Sequence, residues 1–303
     1  MRPLIIVMMA AALTACGHRT SQGSGSDSTA TDSMTVLESR SFAVDSIGLV
    51  REDSMVAIYV SADWPVNSND SLAASVRRYI CEELANRPNQ ESKPQVVYTD
   101  NLKQLLSQYT DEQYNDLQGM WQEANDGGYA FGMTYENRCH IMKLTESDTY
   151  VTYLTNMEGF MGGAHGYAIS IGQTFRKSDG LRIGYRSEYN PKKEVFEIKD
   201  QTLFNSNYPN GLGILIKEGV KSYFKDNNIT VPNDSDLMSM LQNVEDVNRI
   251  PIPQYPPYFT AEGLQFVYQQ YEIGPYAMGM VAFTVPYGKI KALLTTEAQH
   301  LIP

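Results

Sequence analysis

Few residues in this chain have the types and spacing that do chemistry. There are four histidines: His18, His140, His165 and His300. A zinc centre needs three or four ligands at close spacing, as in HExxH or paired Cys/His motifs, and none of these has it. The expectation is no metal and no cofactor. His165 lies in the glycine-rich run Gly159–Gly166 (GFMGGAHG). Glycines such as Gly163 let backbone approach a ligand closely, and an imidazole there can take or give a proton near neutral pH. The alternative is a ring that bonds a nearby carbonyl and steadies the turn. Glu272 sits between Tyr271 and Ile273, with Gly274, Pro275 and Tyr276 following. Its carboxyl could act as an acid or hold a sugar hydroxyl, or it could fix the turn. A glycosidase needs two carboxylates across a cleft, and the sequence pairs Glu272 with no second one. Tyr255-Pro256-Pro257-Tyr258-Phe259 is a stiff aromatic segment, suited equally to a contact surface or to a rigid connector over a sheet. The candidate ligand contacts are therefore Gly163, His165, Tyr255, Tyr258, Tyr271, Glu272 and Tyr276. There is no GxSxG, P-loop or dinucleotide fingerprint, and no residue is assigned as catalytic.

Besides Cys16 the chain has only Cys81 and Cys139. In an oxidising compartment two such cysteines suggest one disulfide. It would close a loop of about sixty residues, which chain entropy values at about 4 kcal/mol. The alternative is two buried free thiols.

These groups must be positioned by elements that the hydrophobic pattern reveals. Met55–Ala62 is β-rich and reads as a strand, and Ser71–Asn86 as an amphipathic helix after the polar turn Asn67-Ser68-Asn69-Asp70, which offers an N-cap. Leu102, Leu105, Leu106 and Tyr109 share a helical face that Leu117 and Met120 continue. Thr110-Asp111-Glu112-Gln113 resembles a capping box, so two helices are as consistent as one. Residues 129–145 and 148–157 suggest an antiparallel pair turning near Glu146-Ser147-Asp148, and Tyr167–Arg176 a strand ended by Ser178-Asp179-Gly180. Phe196–Ile198 is a further short strand. A helix from near Asn210 buries Leu212, Leu215, Ile216, Gly219, Val220 and Tyr223, and Asp236–Gln242 is a shorter one. Leu264–Ile273 and Gly279–Val285 read as strands, followed by a closing helix after Pro286. The sum is α+β: two small domains of antiparallel sheet with helices packed on one side, spanning 41–158 and 159–303.

The amino terminus carries a different message. Arg2 precedes an apolar run, Leu4–Leu13, that is too short to span a bilayer and reads as a signal-peptide core. It ends in Leu13-Thr14-Ala15-Cys16, which resembles the lipobox of bacterial lipoproteins. The resemblance implies cleavage after residue 15, a diacylglyceryl thioether on Cys16 and an acylated amine, hence durable anchoring in a lipid bilayer. Residues 16–40 read as a flexible tether, and the stretch 17–34, rich in Ser, Thr, Gly and Asp, has a reach of about 20–25 Å. By the same resemblance Gly17 is no inner-membrane retention signal, which favours the outer membrane facing the periplasm. The net charge of −11 excludes nucleic acid as a partner and suits a cationic protein. Twenty tyrosines fit half-buried sheet faces or a sugar-stacking surface.

Gly162-Gly163-Ala164-His165-Gly166, Leu264–Tyr268, Tyr271–Gly279 and Val285-Pro286-Tyr287 together resemble the RsiV-like domain of unknown function, number 3298 in its series, over roughly 160–300. The stretch 45–155 is similar, more weakly, to the domain that commonly precedes it, as in PdaC-type peptidoglycan deacetylases. The resemblance implies a cell-envelope setting: one relative is the ectodomain of a membrane anti-sigma factor that binds lysozyme. It implies a non-catalytic binding module for a lysozyme-like protein or for peptidoglycan. A cell-wall glycan enzyme using His165 and Glu272, or a structural envelope lipoprotein, are the alternatives.

Overall fold

The largest element is a six-stranded sheet whose order follows the chain. The computed structural model describes residues 41–66, 70–86, 95–130, 132–190, 192 and 195–302. The expected signal peptide and tether, with Cys16 and His18, lie outside them. Strand β1 (Val44–Glu52) pairs antiparallel with β2 (Val56–Pro65). The β2 sequence VAIYVSADWP is almost continuously apolar, as a covered central strand requires. The chain then crosses over through α1 (Ser71–Ala85) and α2 (Leu102–Asp126). Asp70 caps α1 by accepting from Leu72 N–H, and Asn101 caps α2 by accepting from Gln104 N–H. Strand β3 (Tyr135–Glu146) returns parallel to β2, so the large sheet is mixed and not purely antiparallel. A helical crossover produces this naturally, because parallel neighbours need a long connection.

Antiparallel pairs continue through β4 (Tyr150–Phe160), β5 (Tyr167–Arg176) and the short β6 (Arg182–Ile183). The expected boundary at 158/159 falls inside β4, and residues 39–303 form one compact unit. The apolar core nevertheless divides in two, and period-2 alternation along β4 and β5 explains how. Val151, Tyr153, Met157 and Phe175 face the core under α1 and α2. Tyr150 belongs to the other core, and Gly172 lies against Tyr258 on that side. Strands β4 and β5 are thus covered on both faces.

Beyond β6 come a hairpin, β7 (Arg186–Asn190) with β8 (Val195–Lys199), then α3 (Leu212–Asp226) and α4 (Asp234–Met240). A three-stranded antiparallel sheet follows, built from β9 (Tyr258–Phe259), β10 (Gly263–Tyr268) and β11 (Val281–Pro286). Helix α3 packs Ile216, Val220 and Phe224 into this second core, where Phe266 and Phe283 stack at 5.2 Å. The chain closes with α5 (Tyr287–Ile290) and α6 (Thr296–Gln299). Strand β9 is stitched to the large sheet: Thr174 Oγ1 accepts from Phe259 N–H at 2.9 Å, and Thr152 Oγ1 donates to Phe259 O at 2.8 Å. The architecture is α+β, with a helical layer on one face of the large sheet and the smaller sheet with α3 on the other. Among the described residues no helix is long and apolar enough to cross a membrane.

The expected Cys81–Cys139 disulfide is not formed; both are free, buried thiols. Cys81, on α1, points its sulfur towards Thr99 O at 3.9 Å. Cys139, on β3, is held under the helices in the first core. Burial raises the Cys81 thiol and pushes Cys139 up to about 12, so neither is a nucleophile at neutral pH.

Candidate functional site

Four of the seven expected ligand residues come together at the amino-terminal end of β5. The turn before this strand needs its glycine at 162: φ is +87°, and a Cβ there would run into the Tyr135 hydroxyl. Gly163 is exposed, and a Cβ at this position would meet only open space. His165 follows and is exposed. Its Nδ1 lies 2.9 Å from Gly166 O, which can only accept, so Nδ1 carries the proton. In the neutral ring Nε2 is then the acceptor, and the Tyr271 hydroxyl donates to it at 2.9 Å. The imidazole also stacks on Tyr276, with centroids 3.7 Å apart and planes 18° from parallel. Tyr271 and Tyr276 lie 5.9 Å apart, completing a cluster of three rings.

This cluster is held by an unusual edge cover. The first half of β5 has a free edge, and two glutamine side chains pair with it. Gln269 Oε1 accepts from Ser170 N–H at 3.0 Å while its Nε2 donates to Ser170 O at 2.9 Å. Gln270 Oε1 accepts from Ala168 N–H at 3.0 Å. The segment after β10 is thereby fixed beside His165. Tyr271 sits at φ +66°, a left-handed conformation that a non-glycine residue adopts only when its surroundings hold it there. Asn243 Nδ2 helps by donating to Tyr271 O at 3.0 Å. The result presents Tyr271 to solvent, 52% exposed.

Glu272 turns the other way. Its Oε1 accepts from Gln254 N–H at 2.5 Å and its Oε2 from Gln269 N–H at 2.8 Å. Burial raises its pKa, and the two amides offset part of that rise. Both oxygens are thus engaged by backbone, which matches the structural alternative for this residue. A catalytic pair of His165 with Glu272 would need that carboxylate free.

Tyr255 and Tyr258 lie elsewhere. Tyr258 is buried against Gly172, so close that no Cβ would fit between them, and burial pushes its pKa up to about 12. It belongs to the connector alternative. Tyr255 lines a separate cleft of 180 Å³ together with Glu83, Arg182, Gln254 and Pro256. Sequence reasoning missed Glu83 and Arg182. The signal for Glu83 was present: it falls at i+4 from Tyr79 and i+7 from Val76, on the apolar face of α1, where an acidic residue is out of pattern. Arg182 carried no such signal, because only the fold brings β6 beside α1. Among the described residues no group of three or more His, Cys, Asp or Glu side chains could hold a metal ion.

Residues 201–288 match the family described as protein of unknown function DUF3298. That range contains Tyr255, Tyr258, Tyr271, Glu272 and Tyr276 but neither Gly163 nor His165. Two solved structures share the fold more widely. A DUF3298 family member from Bacteroides fragilis superposes with a TM-score of 0.61 at 18% identity, over 84% of this chain and 94% of that one. A DUF3298 family protein from Pseudomonas aeruginosa PAO1 gives 0.52 at 11% identity, over 86% and 97%. No curated protein matches the chain.

Proposed function

We propose that this protein is a lipid-anchored cell-envelope lipoprotein whose folded part binds peptidoglycan without chemically altering it. The observation that carries the binding reading is the ring cluster of exposed His165 and Tyr271 with half-buried Tyr276. Flat rings with polar tips at a fixed spacing suit a sugar, whose apolar face stacks on the ring and whose hydroxyls take hydrogen bonds from its rim. The strained Tyr271 supports the same reading, since backbone held off its preferred region concentrates at ligand contacts. The occupied carboxylate of Glu272 argues against glycan cleavage at this cluster. The anchoring part of the reading rests on Leu13–Cys16, with Cys16 as the acylated residue and the outer membrane, periplasmic face, as the address.

Cosedimentation with purified sacculi tests it. The folded part is expected in the pellet, with Tyr271→Ala weakening the affinity up to about ten-fold, as losing one aromatic contact of about 0.5–1.5 kcal/mol would. Absence of cosedimentation removes this reading. A second reading, capture of a cationic lysozyme-like protein, is favoured by the net charge of −11. Pull-down at low and physiological salt distinguishes it, because steering by charge weakens with salt and ring stacking does not.

A further inference from the structure

The cleft beside Tyr255 contains two groups that each keep one buried atom without a hydrogen-bond partner, although Arg182 also pairs with Glu82 and Glu83 with Thr155. Glu83 is 8% exposed, and its Oε2 is buried with no hydrogen-bond partner among the described residues. The same is true of Arg182 Nη2. Burying such atoms unpaired is unfavourable by about 1–3 kcal/mol each, more when the group is charged. The two do not bond to each other, and the reason is visible. Arg182 is held by Glu82, Nη1 to Oε2 at 2.5 Å, with its guanidinium 5.6 Å from the Tyr79 ring and 5.9 Å from that of Phe175. Glu83 is fixed by its place on the buried face of α1. An acidic acceptor and a cationic donor therefore line one cleft, each keeping an open hydrogen-bonding position.

The cleft is too large for a bridging water to be its whole purpose. Its 180 Å³ compares with about 10–15 Å³ for one water on the same kind of measure. Ile171, Pro256 and Tyr255 supply apolar wall, while Gln254 and Ser187 add polar rim. An amine alone would leave Arg182 Nη2 unanswered, and a carboxylate alone would leave Glu83. A molecule with both on one carbon answers both.

We propose that this cleft binds the head group of a free amino acid, its ammonium on the Glu83 carboxylate and its carboxylate on Arg182 Nη2. The site uses none of the rings of the sugar-binding cluster, so the two readings can fail independently.

The protonation of Glu83 gives the binding a pH signature. Burial raises its pKa, the charge of Arg182 lowers it, and the neighbouring Glu82 raises it again, leaving it at about 7. The groups facing it or lining its cleft are Tyr79 and Glu82 of α1, Cys139 of β3, Arg182 of β6, Arg186 of β7, which stays charged, and Tyr185 and Tyr255, both raised by burial. Of these the tyrosines and the thiol stay neutral, since burial raises them all. Glu83 is thus the group that changes charge, and affinity for an ammonium rises close to ten-fold between pH 6 and 8.

Isothermal titration of the folded protein with glycine, L-alanine and D-alanine at pH 8 tests this, with methylammonium and acetate as single-group controls. The expected result is saturable binding in the millimolar range for at least one amino acid, at least about ten-fold weaker binding of both controls, and weakening at pH 6. Glu83→Gln keeps the shape and removes the charge, and it should weaken binding at least about ten-fold while circular dichroism stays unchanged. Tyr271→Ala should bind the amino acid as the unmodified protein does, while Glu83→Gln should still sediment with sacculi. No saturable binding of any amino acid up to about 10 mM overturns the proposal. So does a Glu83→Gln variant that binds normally, or acetate binding as well as glycine.

Discussion

Glu272 and Glu83 are both carboxyls withdrawn from water, and the difference between them lies in what their oxygens meet. Glu272 accepts two backbone amides and ties the segment before β9 to the one after β10. Replacing it with Gln puts an NH2 group where one of those amides points, so Glu272→Gln should lower unfolding stability by about 1–3 kcal/mol, measured in urea. Ring-cluster binding should survive at temperatures well below the transition. Glu83 has an open oxygen and a folded-state pKa near 7, above the ordinary 4.5. A raised carboxyl pKa means that the folded state resists ionisation. Stability is therefore lost as pH climbs from about 4.5 to 7, by roughly 3 kcal/mol at most, and is level above that. Glu83→Leu should consequently be more stable than the unmodified protein at pH 8, with the gain shrinking towards pH 5. An unchanged melting temperature at both pH values would show that the carboxyl is not resisting ionisation at all.

At the scale of elements, Glu146 at the end of β3 gathers four donors: Lys177 Nζ at 2.6 Å, Lys143 Nζ at 3.0 Å, Phe42 N–H at 2.7 Å and Ser41 Oγ at 3.3 Å. Burial alone would raise this carboxyl, but those donors outweigh it and hold it at about 2. A depressed pKa contributes stability above about 4.5 that disappears as pH falls towards 2. Glu146→Gln should thus move the midpoint of acid unfolding upward in pH, with little change in the shape of the curve at neutral pH. The contact of β5 with β9 makes a second prediction: Gly172→Ala drives a methyl into the Tyr258 ring and should be destabilising by about 1–3 kcal/mol. Much at this scale was legible beforehand. Strand β5 fell at Tyr167–Arg176 as alternation indicated, and α1 began at its Asp70 cap. Two features were not. Thr110 looked like a cap, yet its hydroxyl donates to Leu106 O within a single unbroken α2. Strand β1 was missed because Val44–Glu52 is an edge strand with several polar and exposed positions, and little distinguishes it from a loop until β2 is beside it. Of the site, His165, Tyr271 and Tyr276 could be read because glycines and tyrosines cluster around them. Glutamines covering a strand edge leave no periodic trace, and a cleft shared by α1, β6 and Tyr255 exists only after folding.

For the molecule as a whole, the sharing of β4 and β5 by both cores decides how it comes apart. Removing the smaller sheet would expose Tyr150, Thr152 and Thr174, all fully or nearly fully buried. Losing the helical layer would expose Val151, Tyr153 and Phe175 on the other face. Each core uses a face of β4 and β5 as one of its walls, so the two should unfold together. Both tryptophans, Trp64 and Trp121, report on the first core. Their fluorescence transition in urea should coincide with the loss of far-ultraviolet dichroism, which reports both. Separate midpoints would mean that the cores are independent.

The cluster around Glu146 also has a mechanical meaning. Phe42 is gripped on both sides of its peptide, its N–H by Glu146 and its carbonyl by Lys143 Nζ at 2.8 Å. It is the first buried residue of the described chain, immediately before the edge strand β1. Any pull arriving from the amino terminus reaches this charged clasp before it reaches a single rung of the β1–β2 ladder. Were Cys16 acylated as proposed, the clasp would act as a strain relief, as a knot protects a seam. Its low pKa means that only acid near pH 2 would release it, so the clasp outlasts ordinary surface carboxylate pairs as pH falls.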